Sequence, residues 1–214
     1  MSYEQMQNNQ VYLSGQIASE PVFSHEIMDE KFYDFTVSVK RLSGQEDVVP
    51  VTVSDRLMRE RLFETGDYVG LAGQFRSYNK IVDNRSKLVL KVFVRELCPY
   101  DEQTPNSIEI EGFVCKPPVY RTTPFKREIC DLLIAVNRAY NKSDYIPAIA
   151  WGRNARYASG FLVGDKVRIA GRIQSRIYQK QLADGTSQER VAYEVSITSL
   201  TAQIDDRTDE NDYE

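Results

Sequence analysis

Histidine, tryptophan and cysteine are scarce in this chain: one His, one Trp and three Cys among 214 residues. A single histidine, His25, removes most metal-site and Ser-His or Cys-His constructions from consideration. It reads either as a lone acid or base or as an exposed loop residue, and the second is expected. Cys98, Cys115 and Cys130 are odd in number and show no CxxC spacing, which argues against a disulfide framework and a zinc site. All three are expected to be reduced, with Cys115 and Cys130 facing a core. No stretch approaches the roughly 18 apolar residues of a membrane span; the longest obvious run is Leu132 to Val136. The start, MSYEQMQNNQ, lacks the basic and apolar segments of a secretory leader. A soluble, cytoplasmic protein with no membrane partner and no cofactor is expected.

What is present is an uneven charge. The net charge is −4, but residues 1–105 carry 16 acids against 12 bases, residues 106–204 carry 9 against 14, and residues 205–214 carry 6 against 1. A basic second half points to an anionic partner, and the acidic end to a solvated tail.

The chain is also a repeat. NQVYLSG at 9–15 matches NSIEIEG at 106–112, and at the same spacing Pro21-Val22, Val39, Arg41 and Pro50 match Pro118-Val119, Val136, Arg138 and Pro147. One residue further on, GDYVGLAGQFRS at 66–77 matches GDKVRIAGRIQS at 164–175. Self-similarity of this order and spacing means two copies of one domain.

Each copy alternates with a period of two over five segments. In copy one these are Val11-Leu13-Ile17, Tyr33-Phe35-Val37-Val39, Val49-Val51-Val53, Val69-Leu71-Phe75 and a stretch near 87–95. In copy two they are Ile108-Ile110-Val114, Cys130-Leu132-Ile134-Val136, Ile146-Ala148-Ala150, Val167-Ile169-Ile173 and a stretch near 190–198. A short helical or irregular piece, DRLMRERLF or NARYASGF, separates the third from the fourth. Asp184-Gly185 signals the last hairpin of copy two. Five strands with a helix between the third and fourth is the order of the OB-fold, a five-stranded Greek-key barrel. Glycines inside strands (Gly15, Gly73, Gly112, Gly171) permit the bends a barrel needs. Pro50 and Pro147 fit a strand open on one side. The expected architecture is all-β, with a first OB-fold over 1–104, a second over 105–202 and a short acidic C-terminal tail over 203–214.

In YIPAIAWGRN, residues 145–154, the small aliphatic residues share one face, while the other carries Tyr145 and Trp151. The outward face of the fourth strand of copy two reads Lys166, Arg168, Arg172, Gln174, Arg176 and Tyr178, with Arg153, Arg156 and Lys180 nearby. Aromatic rings among cations suit a single-stranded nucleic acid, whose bases stack while its phosphates are tracked by charge. A duplex hides its base faces. The other reading is that Tyr145 and Trp151 are packed under the helix or a loop.

The segments PPVYRTTPFKREICDLLIAVNR, SDYIPAIAWGRNA, GDKVRIAGRIQSRIYQK and ADGTSQERVAYEVSI resemble the bacterial single-stranded DNA-binding protein family across nearly all of 106–200. The resemblance is to its tandem two-OB form from low-GC Gram-positive bacteria. It implies stacking aromatics at the start and end of the third strand and at the beginning of the last hairpin, here Tyr145, Trp151 and Tyr178. It also implies a nucleoid-associated, non-enzymatic homodimer presenting four barrels in DNA replication, repair or recombination. The family's acidic tip, closing in Pro-Phe, recruits replication and repair proteins; the tail here, IDDRTDENDYE, closes in Asp-Tyr-Glu.

Copy one has Val48 and Ser54 where copy two has Tyr145 and Trp151, but keeps Arg76, Tyr78 and Lys80 on its fourth strand. It is expected to bind weakly or to serve packing and oligomer contacts. The candidate DNA-binding residues are therefore Tyr145, Trp151, Tyr178, Arg153, Arg156, Arg172, Arg176, Lys180 and Arg138 of copy two, with Arg76 and Tyr78 of copy one. Two other classes stay open: a protein-interaction module of a primosome-like or mobile-element complex, and a nuclease. For the nuclease, Glu109, Glu111, Asp131 and Asp144 show no shared face.

Overall fold

The computed structural model describes residues 8–82, 85–181 and 185–203. The first copy runs β1 (Asn9–Ile17), β2 (Val22–Ile27), β3 (Glu30–Lys40), β4 (Glu46–Ser54), α1 (Asp55–Met58), β5 (Tyr68–Val82) and β6 (Arg85–Cys98). The second runs β7 (Asn106–Val114), β8 (Val119–Thr122), β9 (Glu128–Arg138), β10 (Lys142–Trp151), α2 (Arg153–Ala158), β11 (Lys166–Gln181) and β12 (Ser187–Gln203). Asp184 and the acidic tail beyond 203 lie outside the described residues.

Pairing follows one circuit in both copies. β1 pairs with β3, β3 with β4, β4 in parallel with β6, β6 with β5, and β5 with β1. β7, β9, β10, β12 and β11 repeat it. Each circuit closes a five-stranded Greek-key barrel, so the chain is two tandem OB-folds. The alternation explains why: Val11, Leu13, Val37, Val49, Val51, Leu71 and Phe75 are buried in one barrel, and Ile108, Ile110, Ile134, Ile146, Val167, Ile169 and Ile173 in the other. The parallel contact is two residues long in each copy and begins one residue after Pro50 or Pro147.

Three details differ from the sequence reading. Each barrel carries a sixth short strand, β2 or β8, laid along β3 or β9; both are almost wholly exposed, so no apolar alternation marks them. His25 lies on β2 rather than in a loop, exposed, with its ring stacked on Phe32 at 4.9 Å. Cys130 is buried in the core, but Cys115 is only half-buried, its thiol donating to the Leu133 carbonyl at 3.2 Å.

The barrels are joined edge to edge by β1 and β7, paired antiparallel from Asn9–Ile110 to Leu13–Asn106. Two matching seams flank this junction. In one, Asp47 accepts from the backbone N–H of Ser175 at 2.7 Å, and the Ser175 hydroxyl accepts from the N–H of Val48 at 3.1 Å. In the other, Asp144 accepts from the N–H of Ser77 at 2.7 Å, and the Ser77 hydroxyl accepts from the N–H of Tyr145 at 2.7 Å. The repeat thus docks on itself through a pseudo-twofold relation.

Candidate nucleic-acid interface

The outer face of the second barrel is made by β9, β10, β12 and β11. Ile146, Ala148 and Ala150 are buried, which turns the alternate positions outward; Tyr145 and Trp151 are 43% and 38% exposed. The reading that packed them under the helix or a loop is therefore corrected, because α2 spends its inward side on Ala155 and Ala158. The Trp151 indole N–H donates to the Ser196 hydroxyl at 3.3 Å, which orients the ring against β12. Arg172 stands opposite Ser196 on β11, so tryptophan and guanidinium flank the same residue. Arg176 and Tyr178 follow on that face, with the guanidinium 5.8 Å from the Tyr178 ring centre; Tyr178 is exposed. A shallow groove of about 720 Å³ runs past Trp151, Arg172, Gln174, Arg176, Ser196 and Arg127.

The cations divide by their partners. Arg153 and Arg176 are exposed and Lys180 is half-buried, and Arg176 has only a loose contact with Glu194 at 3.7 Å. Arg156 pairs with Glu128 at 3.1 Å. Lys166 and Arg168, which open the basic row, are matched by Glu111 and Glu109 on β7. Arg172 pairs with the buried Asp47 at 3.0 Å; burial lowers its pKa, nearby Arg41 adds to this, and Asp47 opposes it. Arg172 therefore serves the first seam as well as the groove wall.

Arg138 and Arg76 are placed at the second seam, around Asp144. Arg138 lies 3.5 Å from that carboxylate. Burial pulls the Arg76 pKa down to about 10, with Arg95 and Arg138 adding and Asp144 opposing, so it remains charged at neutral pH. Tyr145 and Tyr78 emerge beside this seam, 43% and 47% exposed. An aromatic path thus leads from the second barrel across the junction onto β5.

Some outward residues were not picked from the sequence. Tyr140, 78% exposed, sits at the β9–β10 turn with a positive φ of 60°. Arg127 lines the groove. Phe93, Lys91 and Arg95 alternate with the buried Val92 and Val94 on β6, a period of two that would have identified them. Among the described residues, no group of three or more His, Cys, Asp or Glu side chains could hold a metal ion.

The Single-strand binding protein family model matches residues 105–203. "Single-stranded DNA-binding protein 1" of Staphylococcus aureus (strain COL) is 31% identical over 83 residues, 36% of this chain and 50% of that protein. "Single-stranded DNA-binding protein 2" of strain MSSA476 matches to the same extent. The chain thus spans about half the length of the curated relatives it matches. The wild-type single-stranded DNA binding protein from Thermus aquaticus has a similar structure, with a TM-score of 0.72 and 21% identity, over 92% of this chain and 93% of that one. A deletion mutant of the Thermus protein gives a TM-score of 0.70 at 22% identity, over 94% and 97%. Both structural matches bear on fold, and the tandem arrangement agrees with them. Residues 105–203, the second copy of the repeat, are thus similar to the single-strand binding protein family.

Proposed function

We propose that this chain is a non-enzymatic, largely sequence-independent single-stranded DNA-binding protein. The observation that carries the reading is the outer face of the family-matched barrel, where Trp151, Tyr145 and Tyr178 are exposed beside Arg153 and Arg176. Bases stack on the rings and phosphates follow the cations, so the function requires neither a cofactor nor the making or breaking of a bond. The work of such a protein is to protect and organise single strands in replication, repair or recombination, in the bacterial cytoplasm at the nucleoid. Two chains together would present four barrels, and the acidic tail is a further candidate contact for replication or repair proteins. No helix among the described residues is long and apolar enough to cross a membrane.

The test is anisotropy of a labelled oligo-dT titrated with wild type and with Trp151→Ala, each across a salt series. Wild type binds tightly, and log affinity falls linearly with log salt by about 0.7 for each phosphate neutralised. Trp151→Ala binds more weakly by about 1–3 kcal/mol, the value of one stacked base. Folded wild type that leaves the oligonucleotide free at low salt would overturn the reading in favour of a protein-interaction module.

A further inference from the structure

The first barrel lacks an aromatic at either end of its third strand, yet the register of its fifth strand supplies one at the corresponding place. In the second barrel Ile149 of β10 pairs in parallel with Ser196 of β12, and Ser196 receives the Trp151 indole. In the first, Thr52 of β4 pairs in the same way with Phe93 of β6. Ser54 occupies the Trp151 position and Phe93 the Ser196 position, so ring and serine have exchanged strands on the same patch of the barrel. The exchange continues along β6. The residue facing Arg76 across the ladder is Lys91, whereas the residue facing Gln174 in the second barrel is Glu194. Where β12 has Thr198 as the extra residue of its bulge, β6 has Arg95.

The result is a ring set among cations. The Arg76 and Arg95 guanidinium carbons lie 4.5 and 4.9 Å from the Phe93 ring centre. Among the described residues neither arginine has an ion-pair partner. Phe93 rests on Phe32 at 5.6 Å, and Phe32 in turn on His25. Lys91 is tethered to Asp34 and lies 5.8 Å from the exposed Tyr78 ring. Asp34 neutralises Lys91 on this face, while Arg76 and Arg95 carry the charge beside the ring. Arginine planes and aromatic rings are both surfaces on which unpaired bases stack. Arg95, exposed at a bulge, offers its own plane or swings aside to uncover the ring.

We propose that the first barrel carries a second single-stranded DNA site, built on β6 around Phe93 with Arg76, Arg95 and Lys91, in place of the third-strand site of the second barrel. This rests on the proposed single-stranded DNA function. It assigns to one chain two faces that engage the strand in succession, through Tyr78 and Tyr145 at the seam.

The chain has one tryptophan, Trp151, so tryptophan fluorescence, excited beyond the tyrosine absorption band, reports the second barrel alone. The experiment uses the full chain and an oligo-dT of roughly 40 nucleotides, enough for about 16 per barrel. In Trp151→Phe/Phe93→Trp the only indole is moved to the first barrel, and oligo-dT quenches it. Arg95→Glu, an exposed change that leaves the core intact, weakens binding of the long oligonucleotide about tenfold and lowers the nucleotides covered per chain. In the same variant, Trp151 is quenched by a short oligo-dT as in wild type. If Trp151 is quenched in wild type, while the moved indole is not quenched and Arg95→Glu covers the same length of DNA, the second site is refuted and the general function stands. If wild type does not bind at all, both fall.

Discussion

Asp47 and Asp144 occupy equivalent places in the two seams and are equally buried, at 1% and 0% exposure, yet their surroundings differ. Asp47 accepts from Arg41 Nε at 2.7 Å, from Arg172 at 3.0 Å and from the Ser175 N–H. Asp144 has the Ser77 N–H on Oδ1, while Oδ2 makes no hydrogen bond and sees Arg138 only at 3.5 Å. A buried carboxylate with full partners is costly to alter, since removing its charge strands the guanidinium groups; one with an empty lone pair already bears a desolvation penalty. Asp47→Asn is expected to lower stability by about 3 kcal/mol or more and Asp144→Asn by about 1 kcal/mol, measured by urea unfolding. Burial raises the Asp144 pKa, against lowering by the Ser77 N–H, Arg138 and Arg76. Its folded form therefore takes up a proton more readily than its unfolded form. The Asp144 contribution to stability is then largest at pH below the unfolded value, and is lost as pH rises through the raised folded one. Wild type should accordingly gain on Asp144→Asn as pH falls from 7 toward 4, read from the difference in urea midpoints.

At the scale of elements, the bulges in β11–β12 and β5–β6 shape the binding faces. A Cβ on Gly171 would lie 2.1 Å from the Ser196 carbonyl oxygen, and one on Gly73 2.3 Å from that of Phe93. The crossing strand is thus pressed against the backbone of the very residues that seat Trp151 or supply the ring. Gly171→Ala should cost about 2–3 kcal/mol in thermal or urea unfolding and weaken oligo-dT binding through displaced Ser196. Gly160→Ala, whose Cβ would meet nothing closer than 3.6 Å, should leave both nearly unchanged. These elements show how far the sequence could be read. Period-two alternation named inward residues on eight of the ten barrel strands and placed the fifth strand of each copy only as a stretch, because burial on one side leaves a direct mark, and it turned Tyr145, Trp151 and Tyr178 outward. It was silent on β2 and β8, which bury almost nothing. It also placed Arg172 on an open face, whereas its guanidinium meets the seam carboxylate of Asp47, 125 residues away in the other barrel; Arg138, named as a candidate DNA-binding residue, likewise meets Asp144 at the other seam. Phe93 was legible from the same period of two, since Lys91, Phe93 and Arg95 alternate with the buried Val92 and Val94.

The whole molecule depends on how firmly the two barrels are set against each other, since a strand crossing from Tyr145 to Tyr78 needs a fixed seam. Three features hold it without help from the connecting segment between Cys98 and Asn106. β1 and β7 pair over five residues with Val11 opposite Ile108, both 1% exposed. Each flank adds a buried aspartate bonded to the other barrel's backbone. Arg172 brings an ion pair across the first seam. The connection packs on the first barrel and does not bridge the two: the Asp101 N–H donates to the Ser14 hydroxyl at 3.1 Å, the Ser14 N–H to the Pro105 carbonyl at 2.7 Å, and Tyr100 meets Tyr68 edge-on at 5.1 Å. A protease site placed within residues 101–104, once cut, should therefore leave the halves together: one peak in size-exclusion chromatography at micromolar concentration, one melting transition, and oligo-dT affinity within about threefold of the uncut chain. Loop-closure entropy grows only with the logarithm of loop length, so severing a short tether removes little beyond the local concentration it enforced. Separate peaks would instead make the tether the element that aligns the faces, and affinity for long oligonucleotides would then fall on cleavage while affinity for short ones held.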